Sequence, residues 1–108
     1  VSPDDFRRLA LALPEAVEGA HQGHADFRVG GKIFATLGYP DADTAMVKLS
    51  VELREVVAAA EPEVFRPVPG DWGRTGATYV HLPAAEAEAV AGPLKAAWRG
   101  VAPKRLEG

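Results

Sequence analysis

The chain has 108 residues, enough for a single domain spanning 1–108 that buries roughly 65% of the surface of its unfolded state. Its 47% apolar and 25% charged residues are those of an ordinary globular protein, and no apolar run approaches the roughly 20 residues a membrane helix needs. There is no cysteine and the net charge is −3, which excludes disulfides, thiolate catalysis and cysteine-ligated metals and argues against strong nonspecific nucleic-acid binding; with no export signal at the start, the expected location is the cytoplasm.

Ser2-Pro3-Asp4-Asp5 reads as a helix start, with a capping serine, a proline suited to the first turn and acids that favour the helix N-terminus. Phe6, Leu9, Ala10 and Leu13 recur at helical spacing on one face, and Pro14 ends the run. From Val17 to Leu49 the pattern changes to short extended runs separated by turns. Asp26 to Val29 and Lys32 to Tyr39 flank Gly30-Gly31, a hairpin signal because both central residues of a type I′ turn need positive φ. Ile33, Ala35, Leu37 and Tyr39 alternate with Lys32, Phe34, Thr36 and Gly38. Pro40-Asp41-Ala42-Asp43 forms the next turn and Ala45 to Leu49 the next strand, giving an antiparallel meander.

Ser50 caps a second helix, with Leu53, Val56, Val57 and Ala60 on one face and Pro62 as its stop. The stretch from Pro62 to Val80 holds three prolines, three glycines, Trp72, Arg66 and Arg74, the composition of a shaped loop. Thr78 to Leu82 reads as a strand. Pro83 opens the last helix, with Ala87, Val90, Ala91, Leu94 and Trp98 on one face and a kink or restart expected at Gly92-Pro93. The order α-β-β-β(-β)-α-β-α predicts an α+β two-layer domain, three one-sided helices covering an antiparallel sheet.

His21, His24 and Asp26 form the one histidine–acid cluster. They are weak metal candidates, because the trio matches no zinc spacing and Gly23 places it in a turn. His81 is far away in sequence. No phosphate-binding or nucleophile-elbow motif occurs, and Ser2 and Ser50, the only serines, are both explained as helix caps. An enzyme is therefore not expected, and no cofactor is implied. The candidate binding group is Trp72 with Arg74, Arg66 and Lys48, since arginine pairs with phosphate in two-pronged fashion and tryptophan stacks on rings. The plainer alternative folds Trp72 back over the core to anchor its own loop. Trp98, at helical spacing from Leu94, is expected in the core. The bases from Lys95 to Arg105 form a basic end whose plain reading is a solvated face.

Phe27-Arg28-Val29-Gly30-Gly31-Lys32-Ile33-Phe34-Ala35, Val47-Lys48-Leu49, the run Trp72-Gly73-x-x-Gly76-x-Thr78-x-Val80-x-Leu82, Ala97-Trp98-Arg99 and Ala102-Pro103-Lys104-Arg105-Leu106 follow one another in an order that resembles the MmcQ/YjbR family. Pro3-Asp4-Asp5-Phe6 and Leu13-Pro14 fit as well. The resemblance implies an antiparallel sheet flanked by helices, similar to frataxin-like and secretion-chaperone-like domains. It also implies a DNA-binding-like module of double-wing shape, an analogy of form. The wings would be the hairpin through Val29-Gly30-Gly31-Lys32 and the loop from Arg66 to Arg74, so the candidate nucleic-acid contacts are Arg28, Lys32, Lys48, Arg66, Trp72 and Arg74. Where more distant members carry a lysine just before a tryptophan that opens the late strand, this chain has Arg74 followed by Ala77 or Thr78.

Two functions compete. One is a DNA-binding-like module, which needs those bases on one face. The other is a protein- or small-molecule-binding domain without catalytic activity, which needs an uncovered sheet face or cleft near Phe34, Tyr39, Met46 and Trp72. No membrane partner is expected, and the chain is expected to be a monomer or weak dimer.

Overall fold

The structure, a computed structural model, describes residues 1–107 apart from the side chains of His21 and Glu107. Helix α1 (Pro3–Leu11) starts as its sequence dictates: the Ser2 hydroxyl accepts from the Asp5 amide at 3.0 Å and the Asp5 carboxylate accepts from the Ser2 amide at 3.0 Å. Strands β1 (Val17–His21), β2 (His24–Val29), β3 (Lys32–Leu37) and β4 (Thr44–Lys48) follow as a meander. Gln22-Gly23 and Gly30-Gly31 join the first three through two-residue turns in which every residue has positive φ. The Tyr39–Pro40 peptide, in the connection to β4, is cis.

Helix α2 (Val51–Ala60) is capped by Ser50, whose hydroxyl accepts from Leu53 N–H at 3.1 Å. A short strand β5 (Phe65–Pro67), a single helical turn α3 (Asp71–Arg74) and strand β6 (Ala77–His81) come next, then α4 (Ala87–Val101) and α5 (Lys104–Glu107). The strands make one six-stranded antiparallel sheet in the order β1-β2-β3-β4-β6-β5. The chain is α+β with helices packed on a sheet, as expected.

One face of the sheet is covered. Helix α4 lies on β2, β3 and β4, α1 packs on α4 and β3, and α2 lies against β5 and β6. Phe27, Ala35, Val47, Val80 and Phe65 meet Phe6, Val90, Leu94 and Trp98 there, all buried. Trp98 sits in this core, and its indole N–H donates to the Pro14 carbonyl at 2.9 Å, so the residue that stops α1 also accepts from α4.

Four details depart from the sequence reading. In α2 the inward side is Leu53, Arg54, Val57 and Ala58, whereas Val56 is 63% exposed and Ala60 is exposed, because the short β5 supports only the flank of the helix. The last helix starts at Ala87, since Leu82–Ala84 forms a separate 3-10 turn containing Pro83; it then runs on through Pro93 with no restart, and its outward side includes Ala87 and Ala91. The β2–β3 register slips between Phe27 and Arg28, so that Phe34 joins Ala35 in the core and Ile33 is aligned with Arg28. The Pro62 to Val80 stretch is built rather than open, with β5 and α3 inside it. Among the described residues no helix is long and apolar enough to cross a membrane.

Candidate functional site

Among the described residues, the other face of the sheet is overhung only at one end by the single turn α3 and is otherwise left without a covering helix. Asp26, Thr36, Met46, Tyr79 and Arg66 are aligned in one row across β2, β3, β4, β6 and β5, and alternation puts this row opposite the helix-covered residues. Thr36, Met46 and Tyr79 floor a cleft of about 380 Å³, within the range of small-molecule sites. Two segments rise at its ends. The turns beside β1–β2 and β3–β4 bring Gln22, His24 and Tyr39 to one end, and the β5–β6 connection brings Val68, Pro69 and Trp72 to the other.

The Trp72 end is fixed by backbone geometry. Gly70 (φ +82°) admits the chain into α3, and Val68 N–H donates to Ala77 O at 3.1 Å across the base of the loop. A Cβ on Gly73 would lie 1.7 Å from the Val68 carbonyl oxygen, and one on Gly76 would lie 1.9 Å from the Leu49 oxygen. Only glycine lets these backbones approach so closely, which gives the Trp72-Gly73-x-x-Gly76 motif its physical reason. The Thr75 hydroxyl donates to Trp72 O at 2.9 Å and the Thr78 hydroxyl to Gly76 O at 2.8 Å. From α2 the largely buried Arg54 guanidinium donates to the Gly73 carbonyl. The indole of Trp72 is 49% exposed and lines the cleft rather than folding over the core. Lys48 Nζ lies 5.1 Å from its ring centroid.

At the opposite end, Tyr39 is 55% exposed and meets His24 edge-to-face with centroids 5.3 Å apart. Beside them the buried Asp26 carboxylate receives both prongs of Arg28, Nε at 2.9 Å and Nη2 at 3.0 Å. Gly19, paired with Asp26 across β1–β2, makes room for this pair, since a Cβ there would lie 2.8 Å from Asp26 Oδ1. The carboxylate holds the Arg28 guanidinium even more firmly protonated than usual. Burial, and secondarily Tyr39, pushes the Tyr79 phenol up from its ordinary value, so it stays neutral. The cleft thus offers rings, a thioether, the hydroxyls of Thr36, Tyr39 and Tyr79, and two carboxylates, the compensated Asp26 and the exposed Asp71.

The predicted residues divide. Trp72, Tyr39 and Met46 line the cleft; Phe34 belongs to the core. Register places Arg28, Lys48 and Arg66 on the open face, none of them in the cleft lining. Lys32 is exposed at the hairpin, where a Cβ on Gly30 would touch Pro103 at 3.0 Å, so this hairpin rests against the C-terminal segment. Arg74 is solvated, 3.6 Å from Asp71. The basic end lies in the helical layer, away from the cleft, and Arg105 is engaged by both carboxylate oxygens of Glu15 at 2.8 Å. The metal candidates do not assemble: His24 meets Tyr39 edge-to-face, Asp26 pairs with Arg28, the His21 side chain lies outside the described residues, and no group of three ligating side chains is found among those described.

Sequence reasoning missed Thr36, Tyr79, Gly19 and Arg54. Thr36 and Tyr79 were visible as the off-core positions of their strands. Arg54 could not be found from the helix alone, since the side of α2 that turns inward is set by what packs against it. Gly19 carries no signal without the register.

The YjbR family model matches residues 11–100. The crystal structure of Deinococcus radiodurans protein DR2400, domain DUF419, is similar in fold: the TM-score is 0.77 at 20% identity, over 93% of this chain and 78% of that one. Comparison with curated proteins gives no match. The family match spans most of the chain, in the order in which its motifs build the sheet and the Trp72 turn, and the chain belongs to the YjbR family.

Proposed function

We propose that this domain is a binding module without catalytic activity, and that its site is the cleft on the open sheet face, taking a small ring-bearing ligand. The observation that carries the reading is the cleft itself. An uncovered sheet face holds about 380 Å³ between two half-exposed aromatic residues, Trp72 and Tyr39, one rising from each end. Although Tyr39 meets His24 and Trp72 meets Lys48, about half of each residue's surface stays exposed at the two ends of a preformed site, where it supplies contact area for a ring. A cytoplasmic setting belongs to the same proposal and is supported by a chain without cysteine. The test is a ligand-detected NMR screen of aromatic fragments. Hits that compete with one another and vanish in a Trp72→Leu/Tyr39→Leu variant support the cleft; hits unaffected by that variant contradict it.

DNA binding is the second reading, favoured by the placement of Arg28, Lys48 and Arg66 on this same open face. It is tested by fluorescence anisotropy with labelled double- and single-stranded DNA at low and near-physiological salt. Saturable binding that falls steeply with salt and weakens in Arg66→Ala/Arg74→Ala supports it. No binding at low salt removes it.

A further inference from the structure

We infer that the cleft is built for a small organic cation, an amine or quaternary ammonium carried on or beside an aromatic ring. The inference rests on the binding reading above and adds the charge of the ligand. Among the described residues, the lining holds two carboxylates, Asp26 and Asp71, and no lysine or arginine. Three electron-rich rings, Tyr39, Trp72 and Tyr79, share that lining. The face of such a ring is the negative end of its quadrupole and attracts a cation within about 6 Å of the centroid.

Trp72 already engages one cation in this way, with Lys48 Nζ 5.1 Å from its centroid. Lys48 itself is not part of the lining. Arg28 compensates much of the charge of the buried Asp26, so Asp26 contributes little to the sign of the site. Asp71 is different: its side chain is 90% exposed and only loosely associated with Arg74, which leaves a negative charge at the mouth beside Trp72. An anion entering the cleft would meet the exposed Asp71 carboxylate and a lining of aromatic rings, with the cations of the open face outside the lining. A cation would find the reverse.

Lys48 supplies a test of sign. A cationic ligand competes with its ammonium for the field of the Trp72 ring, so removing the ammonium tightens binding. An anionic ligand would lose its nearest cation and weaken. Benzyltrimethylammonium, benzyl alcohol and phenylacetate, which match in ring and differ in charge, are titrated into the unaltered protein, Lys48→Met and Trp72→Leu, following the Met46 methyl resonance. The expected order of affinity is cation, neutral, anion. Lys48→Met tightens benzyltrimethylammonium about threefold and Trp72→Leu weakens it about tenfold. Phenylacetate as the tightest probe, or weaker benzyltrimethylammonium binding in Lys48→Met, overturns the inference while leaving the cleft as a binding site. If no probe moves the Met46 methyl, both the inference and the reading beneath it fail.

Discussion

The two faces of the β-sheet come from the same strands and alternate residue by residue, yet they are finished in opposite ways. The covered face is closed by α1, α2 and α4 and filled with Phe6, Phe27, Val90 and Trp98, all buried. The open face keeps Met46 and Thr36 beneath a cleft and leaves Trp72 and Tyr39 half in solvent. Apolar side chains on the first face are accounted for by burial. Aromatic side chains on the second are not, since a ring left half-exposed contributes little to folding. The difference separates residues that hold the fold from residues available to something else.

The sharpest way to break this comparison is to truncate one ring on each side. Phe27→Ala empties a fully buried site and is expected to cost about 3 to 5 kcal/mol. Trp72→Leu is expected to stay within about 0.5 kcal/mol of the parent, because the ring is half in water. Paired urea titrations check this, and equal losses would mean that Trp72 is structural.

Next in size is Gly73→Ala. The added methyl would overlap the Val68 carbonyl, so the turn must shift, at a cost of about 2 kcal/mol or more. Calorimetric melting gives the stability, and loss of fragment binding shows that the shift displaces Trp72. Arg54→Met is milder in stability, about 1 kcal/mol, since its Nε is buried without a partner and part of the lost bond to Gly73 is offset by relieving that atom. It is expected to weaken ligand binding more than its stability cost suggests, because it frees the Trp72 turn while leaving the ring in place. Unchanged binding in a folded Arg54→Met protein would detach α2 from the cleft.

The smallest effect lies in an exposed ion pair of the helical layer, outside the cleft. Arg105 holds the Glu15 carboxyl below its usual value of 4.5 by hydrogen bonding and charge. A carboxylate depressed in the folded state contributes stability that is present above that value and lost as pH falls through its lower folded value. Arg105→Gln should therefore lower stability slightly at neutral pH and flatten the loss below about pH 4.5, with fragment binding untouched. Acid titrations followed by circular dichroism measure it; an effect on the cleft would show coupling between the two ends of the molecule.

Much of the covered side was legible in sequence. Ser2 and Ser50 declare their helices through local capping chemistry, Gly30-Gly31 declares its hairpin, and the spacing of Leu94 and Trp98 declares a buried helix face. The failures share a cause. The side of α2 that turns inward depends on how far a three-residue edge strand reaches, and no periodicity within the helix carries that. The slip at Phe27 and Arg28, which moves Phe34 into the core, depends on pairing between strands. The cleft itself exists because a loop after β5 and a turn after β3 overhang the same face, a long-range fact. Trp72 could be singled out as unusual from its neighbours, but only the sheet register shows Tyr79, Met46 and Thr36 beneath it.

The protein carries its own control for the central claim, because its two tryptophans sit on opposite sides of the sheet. Their indole N–H resonances are followed in one NMR spectrum while an aromatic fragment is added to saturation. The account predicts that the Trp72 resonance moves progressively and that of Trp98, bonded to Pro14 within the core, stays in place. Movement of Trp98 alone, or of neither while the fragment demonstrably binds, would contradict the assignment of the open face as the site.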